Sequence, residues 1–219
     1  MKESSIVEAL FIGKSKLVPY QNKQVETGIF KEAQQQPVIV HKLGIVGDEQ
    51  GDKVHHGGED KAICVYLNSS YQYWKKYKEY EIAPGAFGEN IVLSNWREED
   101  IYIGDQFQIA DAIVEVSQPR QPCFKLGIRN NWKEMLVLAR NSGYTGFYLR
   151  VIQEGTILPG ASCSLIRRAE SSISVRELNK LLYSNHQNKD QLQYALQIPS
   201  LAEAFKKSLR QKLDKLREA

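Results

Sequence analysis

Cysteine is scarce in this chain: three residues in 219, namely Cys64, Cys123 and Cys163. No two stand in C-x-x-C spacing, and an odd number cannot complete a disulfide set, so thiols in a reducing compartment are expected. The same scarcity leaves no cysteine set for an iron–sulfur cluster. Long apolar runs are also missing. No window approaches the roughly eighteen uninterrupted apolar residues of a membrane-spanning helix. The opening stretch Met1 to Glu8 is charged and carries no secretory apolar run, so a soluble, cytoplasmic protein without membrane association is expected. Excess charge of one sign is lacking as well. A net charge of +3, with basic residues spread along the chain, gives no ground for nucleic-acid binding. Phosphate-loop, dinucleotide and nucleophile-elbow patterns (G-x-x-x-x-G-K-[ST], G-x-G-x-x-G, G-x-S-x-G) are absent, which removes support for nucleotide-binding and serine-hydrolase readings.

What is present reads as two regions, 1–168 and 169–219. Up to Arg168 the signals are those of strands. Ile6 to Ile12, Pro37 to Leu43, Lys61 to Leu67, Tyr102 to Ile109 and Ala112 to Val116 are the clearest, with Gly-Asp turn signals between them. Short strands with few helical spacers predict a mainly β fold with flanking helices, a barrel or strongly curved sheet. Two helices interrupt it. Ser69 to Tyr80 gathers Tyr73, Trp74, Tyr77 and Tyr80, and Asn131 to Asn141 gathers Trp132, Met135, Leu136 and Ala139 before a stop at Gly143. Both groupings are read as packing faces.

Beyond Arg168 the periodicity becomes helical. Ser174-Val175-Arg176-Glu177 and Ser200-Leu201-Ala202-Glu203 are capping-box sequences that each open an amphipathic stretch, and Asp190 to Ile198 supplies a third. The tail is thus predicted to be a small three-helix unit. Its last helix carries Lys206, Lys207, Arg210, Lys212, Lys215 and Arg217, read first as a solvated face and secondly as a docking surface. Its apolar side leaves room for a homodimer.

The cysteines differ in context. Cys64 lies in the apolar run Ala62 to Leu67 and Cys163 in an alternating strand, where each serves as a small buried hydrophobe. Cys123 follows Pro122 in a loop with Arg120 on one side and Lys125 on the other. Neighbouring cations favour thiolate, the form that reacts and binds metal. Three further segments are richer in Gly, Asp, Glu, Asn and His than packing requires: Gly44 to Asp52, His55 to Ala62, and Gly85 to Asn90. Gly57 and Gly58 allow a turn whose backbone N–H groups can meet an anion. A metal site built from His41, Asp48, Asp52, His55, His56 and Asp60 lacks H-x-x-x-H or H-E-x-x-H spacing. A Cys123 nucleophile with His56 as base, oriented by Asn90 or Glu89, stays open.

Taken in order, Gly47-Asp48, Val54 to Ala62, Ala86 to Asn90, Ile103-Gly104-Asp105 and Ser117-Gln118-Pro119-Arg120-Gln121-Pro122-Cys123-Phe124-Lys125-Leu126 resemble the MOSC domain family, named after the C-terminal domain of molybdenum cofactor sulfurase. The chain is most similar to its stand-alone bacterial YiiM-type members. The resemblance spans about Ile6 to Arg168, and the helical tail resembles the extension of those members. It implies a β-barrel-like fold and a molybdenum cofactor (molybdopterin) pocket in which Cys123 ligates molybdenum or carries sulfur. Asp48, His56, Gly57, Gly58, Glu89, Asn90, Arg120 and Lys125 are then the cofactor-binding candidates. The implied activity is reduction of small N-hydroxylated compounds, including base analogues. Because this chain carries no electron-transfer group of its own, a separate reductase protein would donate the electrons. The alternative is a sulfur carrier holding a persulfide on Cys123.

Overall fold

The computed structural model describes residues 4–51, 57–77, 80, 82–184 and 188–218. Its strands are β1 (Ser4–Ile12), β2 (Lys16–Tyr20), β3 (Lys23–Thr27), β4 (Glu32–Ala33), β5 (Val38–His41), β6 (Gly44–Ile45), β7 (Ile63–Leu67), β8 (Ile91–Leu93), β9 (Gln106–Ile109), β10 (Ala112–Pro119), β11 (Phe147–Gln153), β12 (Gly155–Ile157) and β13 (Ser162–Arg167). Its α-helices are α1 (Asn68–Trp74), α2 (Lys125–Asn130), α3 (Met135–Ser142), α4 (Val175–Tyr183), α5 (Lys189–Gln197) and α6 (Glu203–Glu218).

Seven strands close on themselves in the order β13-β9-β10-β11-β7-β8-β1, because β13 pairs back onto β1, and β4 extends β1 at the rim. Every pairing in the ring is antiparallel except β7 with β8. Closure gives each of these seven strands a partner on both sides, so none of them is an edge strand. The expected barrel, followed by a helical unit, is therefore what the chain forms.

Inward alternation on these strands builds the core: Val7, Ile63, Val65, Phe107, Ile109, Val114, Val116 and Leu149 are all buried. The same cluster continues into Val175, Leu178, Leu192, Phe205 and Leu209, so the C-terminal helices seal the barrel with their apolar stripes. A second cluster outside the barrel joins Trp74, Tyr66, Phe87, Trp132 and Met135. Both predicted aromatic faces are found there, except that Leu138 and not Leu136 joins the second, with Tyr80 stacked on Trp132 at 4.0 Å between ring centroids.

Element boundaries moved in places. The first helix is regular only over Asn68–Trp74. The helix expected over 131–141 is α3 and starts only at Met135, because Asn131 is left-handed and caps a separate, unanticipated helix, α2, that precedes it. Ser174 caps α4 through a complete capping box with Glu177. The last helix begins at Glu203, after the Ser200 start that its pattern suggested.

Candidate functional site

Strand β10 ends in Ser117-Gln118-Pro119, and proline cannot donate to a ladder, so the chain leaves the sheet there. Arg120 keeps one more link, donating its backbone N–H to Gly146 O at 2.9 Å. Leu126 N–H then bonds Cys123 O at 3.1 Å and turns the chain into α2. Cys123 is thus held half-buried between a strand end and a helix start.

Its thiol opens on a cleft of about 540 Å³, mouth included. The wall carries four cationic side chains, Lys31, Lys61, Arg120 and Lys125, against two carboxylates, Asp48 and Glu49. Cys64, Asn90 and Tyr148 complete its chemically active part.

Arg120 is 7% exposed, and its Nη1 has no hydrogen-bond partner among the described residues. Burial works against its charge, but Cys64, Tyr148, Cys123 and Glu89 outweigh that and raise its pKa above the ordinary arginine value. A charged, buried donor without a partner is costly, and an anionic ligand atom would satisfy it.

Cys64 and Tyr148 stand opposite each other in the β7–β11 pairing, so their side chains share one face of the sheet. Burial pushes the Cys64 thiol up to about 11. It likewise raises the Tyr148 phenol above its usual range. Both are neutral near pH 7 and add no charge to the wall.

Asn90 has every polar group engaged. Its Nδ2 donates to Asp48 Oδ2 at 2.9 Å and Phe11 O at 3.2 Å, and its Oδ1 accepts from Cys64 N–H at 3.0 Å. Asp48 accepts in addition from Gly13 N–H at 2.9 Å and from the Lys31 ammonium, which is buried with it. These side chains fix the wall of the cleft.

The predicted residues divide accordingly. Cys123, Arg120, Lys125, Asn90 and Asp48 meet in one cleft. Glu89 is fully buried next to it, but its carboxylate is taken by the Tyr71 hydroxyl and by the N–H groups of Gly85 at 2.6 Å and Phe87 at 3.1 Å. It folds the turn that presents Asn90, and the cleft wall does not include it. Gly57 and Gly58 also lie off that wall; Gly58 O accepts from Lys61 N–H at 2.9 Å and starts the short 3₁₀ turn Glu59–Lys61. His56, with Asp52 and His55, falls outside the described residues. His41 pairs with Glu154 at 3.3 Å, and Asp60 with Arg150 at 2.7 Å. Among the described residues, no three His, Cys, Asp or Glu side chains group as a metal site.

Lys31, Cys64 and Tyr148 were not anticipated. Lys31 stands in a polar stretch without pattern, and Tyr148 in a strand that no turn signal announced. For Cys64, the sequence signal was its distance of three residues from Lys61 at the end of a glycine-rich turn.

Thiol chemistry and charge agree with an anionic metal cofactor. A thiolate is a soft donor suited to molybdenum or sulfane sulfur. Arg120, Lys125 and Lys61 would face phosphate or dithiolene charge, while Lys31 is neutralised by Asp48. The donor set therefore fits a molybdopterin.

Comparison with known proteins places the chain among relatives. The MOSC domain profile matches residues 52–164, and the "YiiM-like, 3-alpha helix domain" profile matches residues 173–216. The Bacillus subtilis protein YflK is 39% identical over 98% of this chain and 97% of its own. Escherichia coli YiiM is 32% identical, over 80% of this chain and 79% of its own. A Gibberella moniliformis protein named "Reductase" is 31% identical over 80% of this chain, a match spanning 32% of that protein. The crystal structure of Geobacillus stearothermophilus YiiM superposes with a TM-score of 0.80 at 32% identity, covering 95% of this chain and 99% of that one.

Proposed function

The chain belongs to the MOSC domain family, and on that premise we propose that it is a molybdenum-cofactor-dependent reductase of small N-hydroxylated compounds. The observation that carries this reading is the half-buried Cys123 thiol sharing a cationic cleft with Arg120, whose buried Nη1 has no hydrogen-bond partner among the described residues. Kinship with a fungal protein named a reductase supports the reaction class.

Cys123 would ligate the metal, and Arg120 and Lys125 would hold the anionic part of the cofactor. Asn90, aligned by Asp48, would present the edge of the cleft to the pterin or the substrate. When bound, the cofactor supplies two-electron molybdenum chemistry able to take the oxygen of an N–O bond. Cys64 and Tyr148, both held neutral by burial, would add no charge to the inner wall. Electrons would come from a separate donor protein, since the three cysteines make no cluster site and two of them are buried. Residues 1–168 would form the catalytic barrel and 169–219 the appended helical unit.

The test is the molybdenum content of wild-type and Cys123→Ala protein, purified anaerobically from a host that makes the cofactor. Near-stoichiometric metal in the wild type alone, with reduction of an N-hydroxylated base analogue when a chemical reductant is supplied, upholds the reading. No metal in either protein, together with one extra sulfur on Cys123 by mass spectrometry, replaces it with a sulfur carrier.

A further inference from the structure

The C-terminal helices do more than seal the barrel. Each of the three residues that precede Cys123 is tied to them by a separate path. Gln121 donates its side-chain amide to Ser208 Oγ on α6 at 3.0 Å. Pro122 O accepts from Arg140 Nη2 on α3 at 3.2 Å, and the Arg140 guanidinium lies 5.4 Å from the ring centroid of Tyr183 on α4 and hydrogen-bonds its hydroxyl. Arg120 is held through its N–H to Gly146 O at 2.9 Å. The peptide segment containing Gly146 is fastened by Asn179 of α4, whose Nδ2 donates to Thr145 Oγ1 and to Gly143 O at 3.4 Å. Finally, Lys212 of α6 donates to the carbonyls of Leu181, Leu182 and Ser184 at 2.6–3.0 Å, locking α6 to the end of α4.

A loop that leaves a sheet at Pro119 has few backbone bonds of its own. Its position is therefore set by whatever grips it. We propose that the C-terminal helical unit is a brace for the Cys123 loop, with Ser208, Tyr183 and Asn179 as positioning residues that set the thiol against Arg120.

The inference takes Cys123 as the working group, as proposed above, but its test reads the thiol and not the metal, so each can fail without the other. Full-length Ser208→Ala, Tyr183→Leu and the double variant would be treated with iodoacetamide at pH 8. Peptide mass spectrometry would then give the alkylation rate at Cys123, with buried Cys64 and Cys163 as internal references. Loss of one hydrogen bond of ordinary strength predicts a rise of about fivefold at Cys123 in Ser208→Ala. The double variant should rise further, the two reference thiols should stay slow, and Ser208→Thr should restore the wild-type rate. A double variant with native far-ultraviolet circular dichroism and an unchanged Cys123 rate would overturn the proposal. So would parallel acceleration of all three thiols, which reports general loosening. If the double variant loses its native spectrum, Ser208→Ala alone decides by the same criteria.

Discussion

Asn90 joins a loop carboxylate to a barrel strand: its Nδ2 donates to Asp48 at 2.9 Å while its Oδ1 accepts from the Cys64 N–H at 3.0 Å. Asp48 in turn neutralises Lys31, and both side chains are almost fully buried. Removing the carboxylate leaves an ammonium in the interior with no counter-charge. Asp48→Ala is expected to lose about 3–5 kcal/mol of stability in urea unfolding. Adding Lys31→Met to Asp48→Asn should recover most of that loss, since no charge then remains unpaired. A double variant as unstable as Asp48→Ala would show that shape, not charge, carries the pair.

Arg120 pits binding against stability. Its buried Nη1 lacks a hydrogen-bond partner among the described residues. Arg120→Met fills similar space without the charge, so the apo protein should melt at or above the wild-type temperature. The same variant should retain little molybdenum. Differential scanning calorimetry and metal analysis on one preparation check both halves. Retained metal with a lowered melting point would contradict them.

Glu98 carries a pH signature. It is fully buried, and it accepts from Ser70 Oγ at 3.1 Å, Gly146 N–H at 3.1 Å and Thr145 N–H at 3.3 Å. Burial raises its pKa from 4.5 to about 7, against those hydrogen bonds and the nearby Arg176. Since the folded state then binds the proton more tightly than the unfolded one, this group's stabilising contribution is complete below about pH 4.5 and lost as pH rises through about 7. Glu98→Gln should flatten that stretch of the stability–pH curve, a change worth a few kcal/mol across the interval. Parallel curves for variant and wild type would refute the assignment.

Gly146 and Gly160 separate backbone conformation from crowding. Both have positive φ, 76° and 82°. A Cβ at Gly146 would lie 2.4 Å from Val65 O, whereas at Gly160 nothing lies within 4 Å. Gly160→Ala should cost only the left-handed conformation, about 1–2 kcal/mol. Gly146→Ala should cost more and also displace the peptide that holds Arg120. Chemical denaturation of the two variants provides the comparison, and equal losses would rule out the crowding.

Much of the fold was legible in the sequence because its signals are local. The Ser174–Glu177 capping box marks the start of α4 by two hydrogen bonds three residues apart. The apolar run Ile63 to Leu67 reads as a strand buried on both faces. By contrast, β11 was unannounced: Phe147–Gln153 is buried by its neighbours β10 and β7, a property of the assembled sheet. The split between α2 and α3 depends on the left-handed backbone of Asn131, which helical periodicity cannot register. At the site, Arg120, Cys123 and Lys125 lie within a few residues of one another, so the motif displayed their proximity. Lys31 reaches the cleft through tertiary pairing with Asp48. Glu89 looked equally available, yet its carboxylate is spent on the turn from Gly85 to Phe87.

The ring of strands closes where Ser5 pairs with Cys163, joining the earliest barrel strand to the last. During synthesis β1 can pair with β4 and β8 early, but its Ser4–Ile6 end meets its β13 partner only after Ser164 has emerged. Closure therefore comes late and depends on a contact across most of the sequence, the arrangement that slows folding most. The helices that grip the Cys123 loop emerge later still, so the thiol takes up its final setting only after the barrel behind it is complete.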